Sequence, residues 1–138
     1  MRVEYVTKEK WEHVSEDAHK LAFGEIRPRD FDRMDFALVM VGTDEKAVGY
    51  ATCREFDKYT LYLQYGGAFE KNRHRNVGGY RELIGWIKSR DYKQAVTLVE
   101  NDNIAYLKMA MHFGFRIIGC RNFRGAILLE LMLDLEEK

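Results

Sequence analysis

A short basic stretch has the residue types and spacing of an anion-binding loop. Apolar side chains at helical spacing follow it, so the stretch is predicted to open directly onto a helix. A helix N-terminus presents unpaired N–H groups and a partial positive charge, and glycines let a ligand approach the backbone. The stretch is therefore predicted to bind a phosphate or pyrophosphate, with a solvated basic loop as the alternative. Its residues are Arg73, His74, Arg75, Asn76, Val77, Gly78 and Gly79.

Strands are predicted on both sides of this loop. TLYLQYGGAF (60–69) reads as a strand, and the pair Gly66-Gly67 near its end indicates a bulge or a close backbone approach. A bulge would part this strand from its neighbour and expose backbone groups with which an extended ligand could pair. AVTLVE (95–100) is a nearly continuous apolar run, typical of a central strand.

The N-terminal part of the chain predicts a strand and then helices. MRVEYV alternates like a strand, and Thr7 can cap the helix that follows. Pro28 begins a second, short helical turn. The first helix carries one apolar stripe and then a terminating glycine: Trp11, Val14, Ala18, Leu21 and Gly24.

The rest of the chain adds a hairpin, a helix and two final strands. Residues 36–56 read as the hairpin. The helix in residues 101–115 is capped by Asn101 or Asp102 and ends at Gly114. RIIGCRNF and AILLELMLDL are strands joined by a turn at Arg-Gly. The element order predicts an α/β fold of one domain over residues 1–138, with a central mixed sheet and helices on both faces.

Composition excludes several classes of function. Lys+Arg and Asp+Glu both number 22, so the chain lacks the net positive charge of a general nucleic-acid or membrane-surface binder. It has no apolar run of about 18 residues, which excludes a membrane span. Cys53 and Cys120 are not at metal-site spacing and are predicted to be reduced, buried thiols, so we expect no metal and a cytoplasmic location.

Two stretches resemble motifs of the GCN5-related N-acetyltransferase superfamily, and the element order resembles this family over nearly the whole chain. The family's loop pattern is Arg/Gln-x-x-Gly-x-Gly/Ala. Arg73, Asn76 and Gly78 fall on its three marked positions, so asparagine replaces the first glycine. Asparagine adopts positive φ more readily than most residues, which preserves the turn.

The second motif lies in the last helix. The family's pattern there is Asn-x-x-Ala-x-x-x-Tyr-x-x-x-Gly-Phe. Its Asn, Gly and Phe are matched by Asn103, Gly114 and Phe115. Tyr106 stands at the Ala position and Ala110 at the Tyr position.

The resemblance implies that acetyl-CoA is the co-substrate and that its acetyl group passes directly to an amine. The backbone of Ala68, Phe69 and Glu70 would pair with pantetheine. The backbone of residues 73–78 would hold the pyrophosphate, and Asn103 would brace the pantetheine arm. The acceptor would be a small molecule or a protein amine. The apolar final strands allow either a homodimer interface or core packing.

The reaction needs an acid and a base, for which the sequence offers a tyrosine and two glutamates as candidates. In the family the acid is often the tyrosine that Ala110 replaces. Tyr106 lies one helical turn earlier and is our candidate acid, with core packing as the alternative. The base is often a glutamate on the strand before the loop, which here contains no acid. Glu55 and Glu100 are the nearest candidates, with surface carboxylates or a water-relayed base as the alternatives.

A second function is consistent with the same residues. Ala110 and Asn76 depart from the family's motifs, and the strand before the loop has no acid. The chain could therefore be a catalytically silent binding or structural protein of this fold. It also resembles degenerate domains of the fold that occur in tailed-phage genomes.

Overall fold

A computed structural model describes residues 1–12, 33–69 and 76–136. The strands are β1 (Arg2–Thr7), β2 (Phe36–Val41), β3 (Ala47–Glu55), β4 (Thr60–Ala68), β5 (Gln94–Glu100), β6 (Arg116–Phe123) and β7 (Ala126–Asp134). The helices in these ranges are α1 (Lys8–Glu12), α2 (Asn76–Lys88) and α3 (Ile104–His112).

The strands in the described ranges form one seven-stranded sheet in the order β1-β2-β3-β4-β5-β7-β6. β4 and β5 run parallel, and the other neighbouring strands run antiparallel. Parallel neighbours need a long crossover, and α2 lies in the one between β4 and β5. The predicted α/β fold with a mixed sheet is confirmed.

The sheet has a hydrophobic core on each face. Phe36 and Leu38 of β2 pack in one cluster with apolar residues of α2 and α3. Ala37 points the opposite way, as strand alternation requires, and packs with Trp11 of α1 and with Tyr50. Helices therefore lie on both faces, as predicted.

Helix α1 begins where the sequence predicts. The N–H of Lys10 donates to the Thr7 hydroxyl at 3.5 Å, and Trp11 is buried. The other positions predicted for this part of the chain lie outside the described residues: Val14, Ala18, Leu21, Gly24 and Pro28.

Helix α2 packs on the sheet through the apolar stripe that its spacing predicts. Tyr80, Leu83, Ile84 and Ile87 are all buried. Val77, in the first turn, is 50% exposed. The stripe therefore starts one turn later than the spacing indicates.

Helix α3 has a different cap from the one predicted. The side-chain oxygen of Asn103 accepts from the N–H of Tyr106 at 3.3 Å. Asn101 and Asp102 lie too early, because an N-cap oxygen bonds to the second or third N–H of the helix. Gly114 ends the helix with φ +102°, as predicted.

The turn between β6 and β7 places Arg124 and Gly125 at positive φ, as a two-residue hairpin loop requires.

The two cysteines differ in exposure. Cys53 is buried, but Cys120 is exposed because it lies on the edge strand β6. The prediction of two buried thiols is wrong for Cys120.

Candidate active site

Strands β4 and β5 lie side by side for only part of their length. Residues 60–63 of β4 pair with residues 94–97 of β5, and this pairing stops at Leu63 and Thr97. Beyond that point β4 stays paired with β3, and β5 stays paired with β7. We call the parted segments, residues 64–68 of β4 and 98–100 of β5, the fork. An extended ligand can add to such parted edges as a strand.

A bulge in β4 lies at the start of the fork. The β3–β4 register skips one residue, Gln64, between Leu63 and Tyr65. An extra residue bends the bulged strand and increases its twist, which can turn β4 away from β5. The predicted parting of the strands is confirmed, but the bulge lies at Gln64 and not at Gly66-Gly67.

Gly66 marks a close backbone approach. A Cβ at this position would lie 2.7 Å from the carbonyl oxygen of Tyr50 and 3.1 Å from Cα of Ala51. Both atoms belong to the backbone of β3, which cannot move away without breaking its pairing. The predicted close backbone approach is therefore confirmed at Gly66.

The end of β4 offers backbone groups to the fork at alternate residues. The N–H of Phe69 donates to the carbonyl of Val48 at 2.9 Å, so it faces β3 and cannot pair with a ligand in the fork. Alternation then directs the backbone groups of Ala68 away from β3. The Phe69 side chain is buried with Tyr50, at a ring-centroid distance of 6.4 Å. Of the two residues, Ala68 is the one placed to pair with an extended ligand.

Two helix N-termini follow the strands of the fork. α2 comes after β4, and α3 comes after β5. The carboxyl ends of parallel strands lie at one edge of a sheet, where open α/β sheets bind their ligands. The unpaired N–H groups of both helices therefore lie at this edge of the sheet, where the fork opens, which we call the fork edge.

The two glycines of the first α2 turn have different surroundings. A Cβ on Gly78 would meet no atom within 4 Å, whereas one on Gly79 would contact Met1 and Met40 at 3.8 and 3.9 Å. Gly78 therefore faces open space that a ligand could enter, and Gly79 faces the protein. Asn76 and Val77 form the same turn. The remaining predicted loop residues lie outside the described ranges: Glu70, Arg73, His74 and Arg75.

Tyr106 lies on the sheet face that α2 and α3 cover, beside the start of the fork. Its hydroxyl is 3.3 Å from the hydroxyl of Tyr80, and the two rings meet edge to face at 5.7 Å. It also interacts with the side chain of Thr97, the last β5 residue before the fork. The structure therefore brings the predicted acid to the point where the strands part.

The two tyrosines are held in their protonated form. Burial raises the pKa of Tyr80, and the neighbouring Tyr106 raises it further. Burial also raises the pKa of Tyr106, against the opposing effect of its hydrogen bonds with Tyr80 and Thr97. Both hydroxyls therefore carry a proton at neutral pH and can donate it.

Ala110 stands at the tyrosine position of the helical motif and has no hydroxyl to donate. It is 0% exposed and packs within the main core cluster. Tyr106 is only partly buried and lies one turn nearer the start of α3. Tyr106 therefore supplies the α3 hydroxyl that reaches Thr97, at the start of the fork.

Glu55 lies far from the fork. It ends β3 and pairs with Leu61, near the closed end of the β4–β5 pair. Its Oε1 accepts from the hydroxyl of Tyr92 at 2.7 Å. The structure does not bring Glu55 together with Tyr106.

The opposite face of the sheet carries a cavity of about 420 Å³. Residues on this face of β4, β5 and β7 alternate with those that face α2 and α3. Sequence reasoning missed this cavity, which we call the sheet groove. One signal in the sequence could have indicated the cavity: Glu130 is a charged residue within the apolar stretch AILLELMLDL. The groove is lined chiefly by Phe56, Tyr62, Val96, Leu98, Arg121 and Glu130.

Glu100 and Asn103 lie at the open end of the fork. Glu100 is exposed and ends β5 on the face of the sheet groove, because every second residue of a strand shares a face and Val96 and Leu98 line the groove. Its carbonyl accepts from the N–H of Asn103 at 3.0 Å. Asn103 is therefore fixed at the fork edge while its side chain caps α3.

Residues 1–12, 33–69 and 76–136 contain no group of three or more His, Cys, Asp or Glu side chains that could hold a metal ion. Within the same ranges, no helix has the length and apolar character needed to cross a membrane.

Comparison with solved structures finds the same fold in acetyltransferases. The ribosomal-protein-S18-alanine N-acetyltransferase from Escherichia coli has a TM-score of 0.78 and 10% identity, over 96% of this chain and 92% of that one. Arabidopsis thaliana Naa50, in complex with the bisubstrate analogue CoA-Ac-MVNAL, has a TM-score of 0.71 and 13% identity, over 96% and 98%. A GNAT family acetyltransferase from Elizabethkingia anophelis with acetyl-CoA bound has a TM-score of 0.67 and 17% identity, over 86% and 88%.

Comparison of the sequence itself gives no relative. No protein-family model matches it, and no curated protein matches it. The structural likeness therefore establishes a shared fold over most of each chain.

Proposed function

Because the chain has the fold of these acetyltransferases, we propose that it is an acetyl-CoA-dependent N-acetyltransferase that transfers the acetyl group directly to an amine. The observation that carries this proposal is the fork, with the hydroxyl of Tyr106 beside its start. The acetyl-CoA and the CoA-containing analogue bound in two of the compared structures support acetyl-CoA as co-substrate.

The fork edge would supply the parts of an acetyl-CoA site. The backbone of Ala68 would pair with pantetheine. The N-terminus of α2 would hold the pyrophosphate, with Arg73, His74 and Arg75 adding positive charge. Gly78 leaves open space for the phosphates, and Asn103 would brace the pantetheine arm.

Three tasks fall to the chain's own residues during transfer. The amine must lose a proton, since an alkyl ammonium has a pKa near about 10.4. Glu100, on the groove face of the fork, or a relaying water would take that proton. A backbone N–H at the Gln64 bulge would donate to the oxyanion that forms. Tyr106 would protonate the departing thiolate.

A thiol-release assay tests this function. The purified protein is incubated with acetyl-CoA and single members of a panel of small amines, amino acids and peptide N-termini. We expect CoA release that depends on one class of amine, with mass spectrometry detecting the acetylated amine. Release at the hydrolytic background rate with every class would contradict the proposal.

The alternative is a catalytically silent protein of the same fold. The observation in its favour is Ala110, which stands at the Tyr position of the motif and is buried in the core without a hydroxyl. Such a protein would bind acetyl-CoA without accelerating CoA release. The predicted cytoplasmic location and homodimer stay predictions.

A further inference from the structure

The sheet groove and Tyr106 approach the start of the fork from opposite faces of the sheet. Leu98, which lines the groove, is the first β5 residue beyond the parallel pairing. Thr97 also lines the groove, while its side chain interacts with Tyr106. A molecule in the groove would therefore lie next to the place where the acetyl group is proposed to be held.

One end of the groove carries a matched pair of charges. Glu130 pairs with Leu98 across β5 and β7, so it lies one strand away from the fork. Its Oε1 accepts a hydrogen bond from Nε of Arg121 at 3.0 Å and lies 2.9 Å from Nη2 in an ion pair. Both contacts use the same oxygen, which leaves Oε2 outside this pair. The Arg121 side chain is 56% exposed and that of Glu130 is 30% exposed, so a ligand can reach both.

The other end of the groove is aromatic. The rings of Phe56 and Tyr62 lie 5.1 Å apart at an angle of 36°. Tyr62 is on β4 and Glu130 on β7, with β5 between them, so two strand spacings of about 10 Å in total separate their strands. Val96 and Leu98 of β5 form the apolar floor between the two ends.

The charge pair selects among classes of amine. A simple monoamine could reach the remaining Oε2 of Glu130 but would make no bond to Arg121. A zwitterion makes two charged contacts, because its ammonium meets Oε2 of Glu130 and its carboxylate meets N–H groups of Arg121 that the pair leaves unused. Arginine and carboxylate have matching planar geometry, which favours the second contact.

We propose that the sheet groove is the acceptor site and that it takes an α-amino acid with an apolar side chain, preferably an aromatic one. The ammonium binds Glu130, the carboxylate binds Arg121, and the side chain lies over Val96 and Leu98 towards Phe56 and Tyr62. The cavity volume of about 420 Å³ falls in the range of small-molecule sites. This inference rests on the proposed function, because it identifies the amine that receives the acetyl group.

Calorimetric titration with three related probes tests this assignment. The probes are L-phenylalanine, phenethylamine, which lacks the carboxylate, and 3-phenylpropionate, which lacks the ammonium. Each is titrated into the protein alone and into the protein with CoA. We expect L-phenylalanine to bind about tenfold more tightly than either analogue, since each analogue loses one charged hydrogen bond.

Two variants assign each charge to its partner. Arg121→Gln should remove the advantage of L-phenylalanine over phenethylamine, and Glu130→Gln its advantage over 3-phenylpropionate. Glu82→Gln, an exposed carboxylate on α2, is the matched control and should change neither ratio. Circular dichroism checks that each variant is folded.

The outcomes separate this inference from the proposed function. Equal affinities for the three probes, or unchanged ratios in both groove variants, would overturn the amino-acid assignment. If CoA binds while L-phenylalanine does not, the acetyl-CoA site stands and the groove assignment fails. If L-phenylalanine binds with the expected ratios while CoA does not, the groove is supported and the proposed function fails.

Discussion

The side-chain hydroxyl of Thr97 donates to the backbone carbonyl of Leu63 at 2.9 Å, at the last residues that β4 and β5 share in their parallel pairing. Thr97 is 5% exposed, so this bond is shielded from water. The same side chain interacts with Tyr106. One buried residue therefore links the point where the strands part to the hydroxyl proposed as the acid.

Replacing Thr97 with valine should destabilise the start of the fork. The change keeps the shape of the side chain but removes the donor to Leu63, which we expect to cost about 1–3 kcal/mol in the free energy of unfolding. Urea denaturation measures this cost. Thr97→Ser keeps the hydroxyl and should recover most of the loss. Equal stability of the valine variant and the wild type would show that the bond contributes nothing.

Replacing Tyr106 with phenylalanine should lower turnover without unfolding the protein. A general acid typically contributes about 10²-fold or more, so we expect kcat to fall by about that factor. Tyr92→Phe is the matched control, because it also removes one tyrosine hydroxyl. Tyr92 lies beside Glu55, near the closed end of the β4–β5 pair. If both variants turn over at the wild-type rate, Tyr106 serves only in packing.

Gly78→Asp should abolish CoA binding. It would place an anion and a side chain in the open space at the start of α2, where the pyrophosphate is proposed to bind. Gly85→Asp is the control, because Gly85 lies two turns later in the same helix and its Cβ would also meet no atom within 4 Å. Calorimetry compares the two affinities. Wild-type affinity in Gly78→Asp would exclude this part of the site.

The stability of the protein should fall above about pH 10, the ordinary pKa of tyrosine. Burial raises the pKa of Tyr80 and of Tyr106 in the folded state. Above about pH 10 the unfolded chain has lost protons that the folded chain keeps, so rising pH favours unfolding. The stabilisation is complete below that pH and is lost as pH rises towards the folded-state pKa values. Urea denaturation of the wild type and of Tyr80→Phe measures this effect, and the slope should be shallower in the variant.

Gly66→Ala should destabilise the sheet beside the fork. The added Cβ would lie 2.7 Å from the carbonyl oxygen of Tyr50, so β3 or β4 must shift, at a cost of about 1–3 kcal/mol. Thermal unfolding measures the loss. Gly78→Ala adds the same atom in open space and should leave the melting temperature unchanged or raise it. A loss of equal size in both variants would contradict this account of Gly66.

Local patterns were enough to predict most of the elements. The spacing of Tyr80, Leu83, Ile84 and Ile87 predicted the buried face of α2 because helical periodicity is set by the residues themselves. The runs on either side of the loop predicted strands because apolar and β-branched composition is also a local signal. The bulge was assigned two residues from its position, since the β3–β4 register depends on both strands.

The site depends more on tertiary contacts, which the sequence does not display. Tyr106 was chosen as the candidate acid because a helical motif fixed its position relative to Ala110. The sequence could not show that Glu55 lies away from the fork, since distance along the chain does not reveal at which end of β3 the fork lies. Arg121 and Glu130 were missed because they meet only when β6 and β7 pair.

Calorimetric titration of the wild-type protein with acetyl-CoA and with CoA tests the central claim most directly. If the fork and the start of α2 form an acetyl-CoA site, both ligands bind with micromolar affinity. Absence of binding at millimolar ligand would contradict the account and would direct the search towards protein partners.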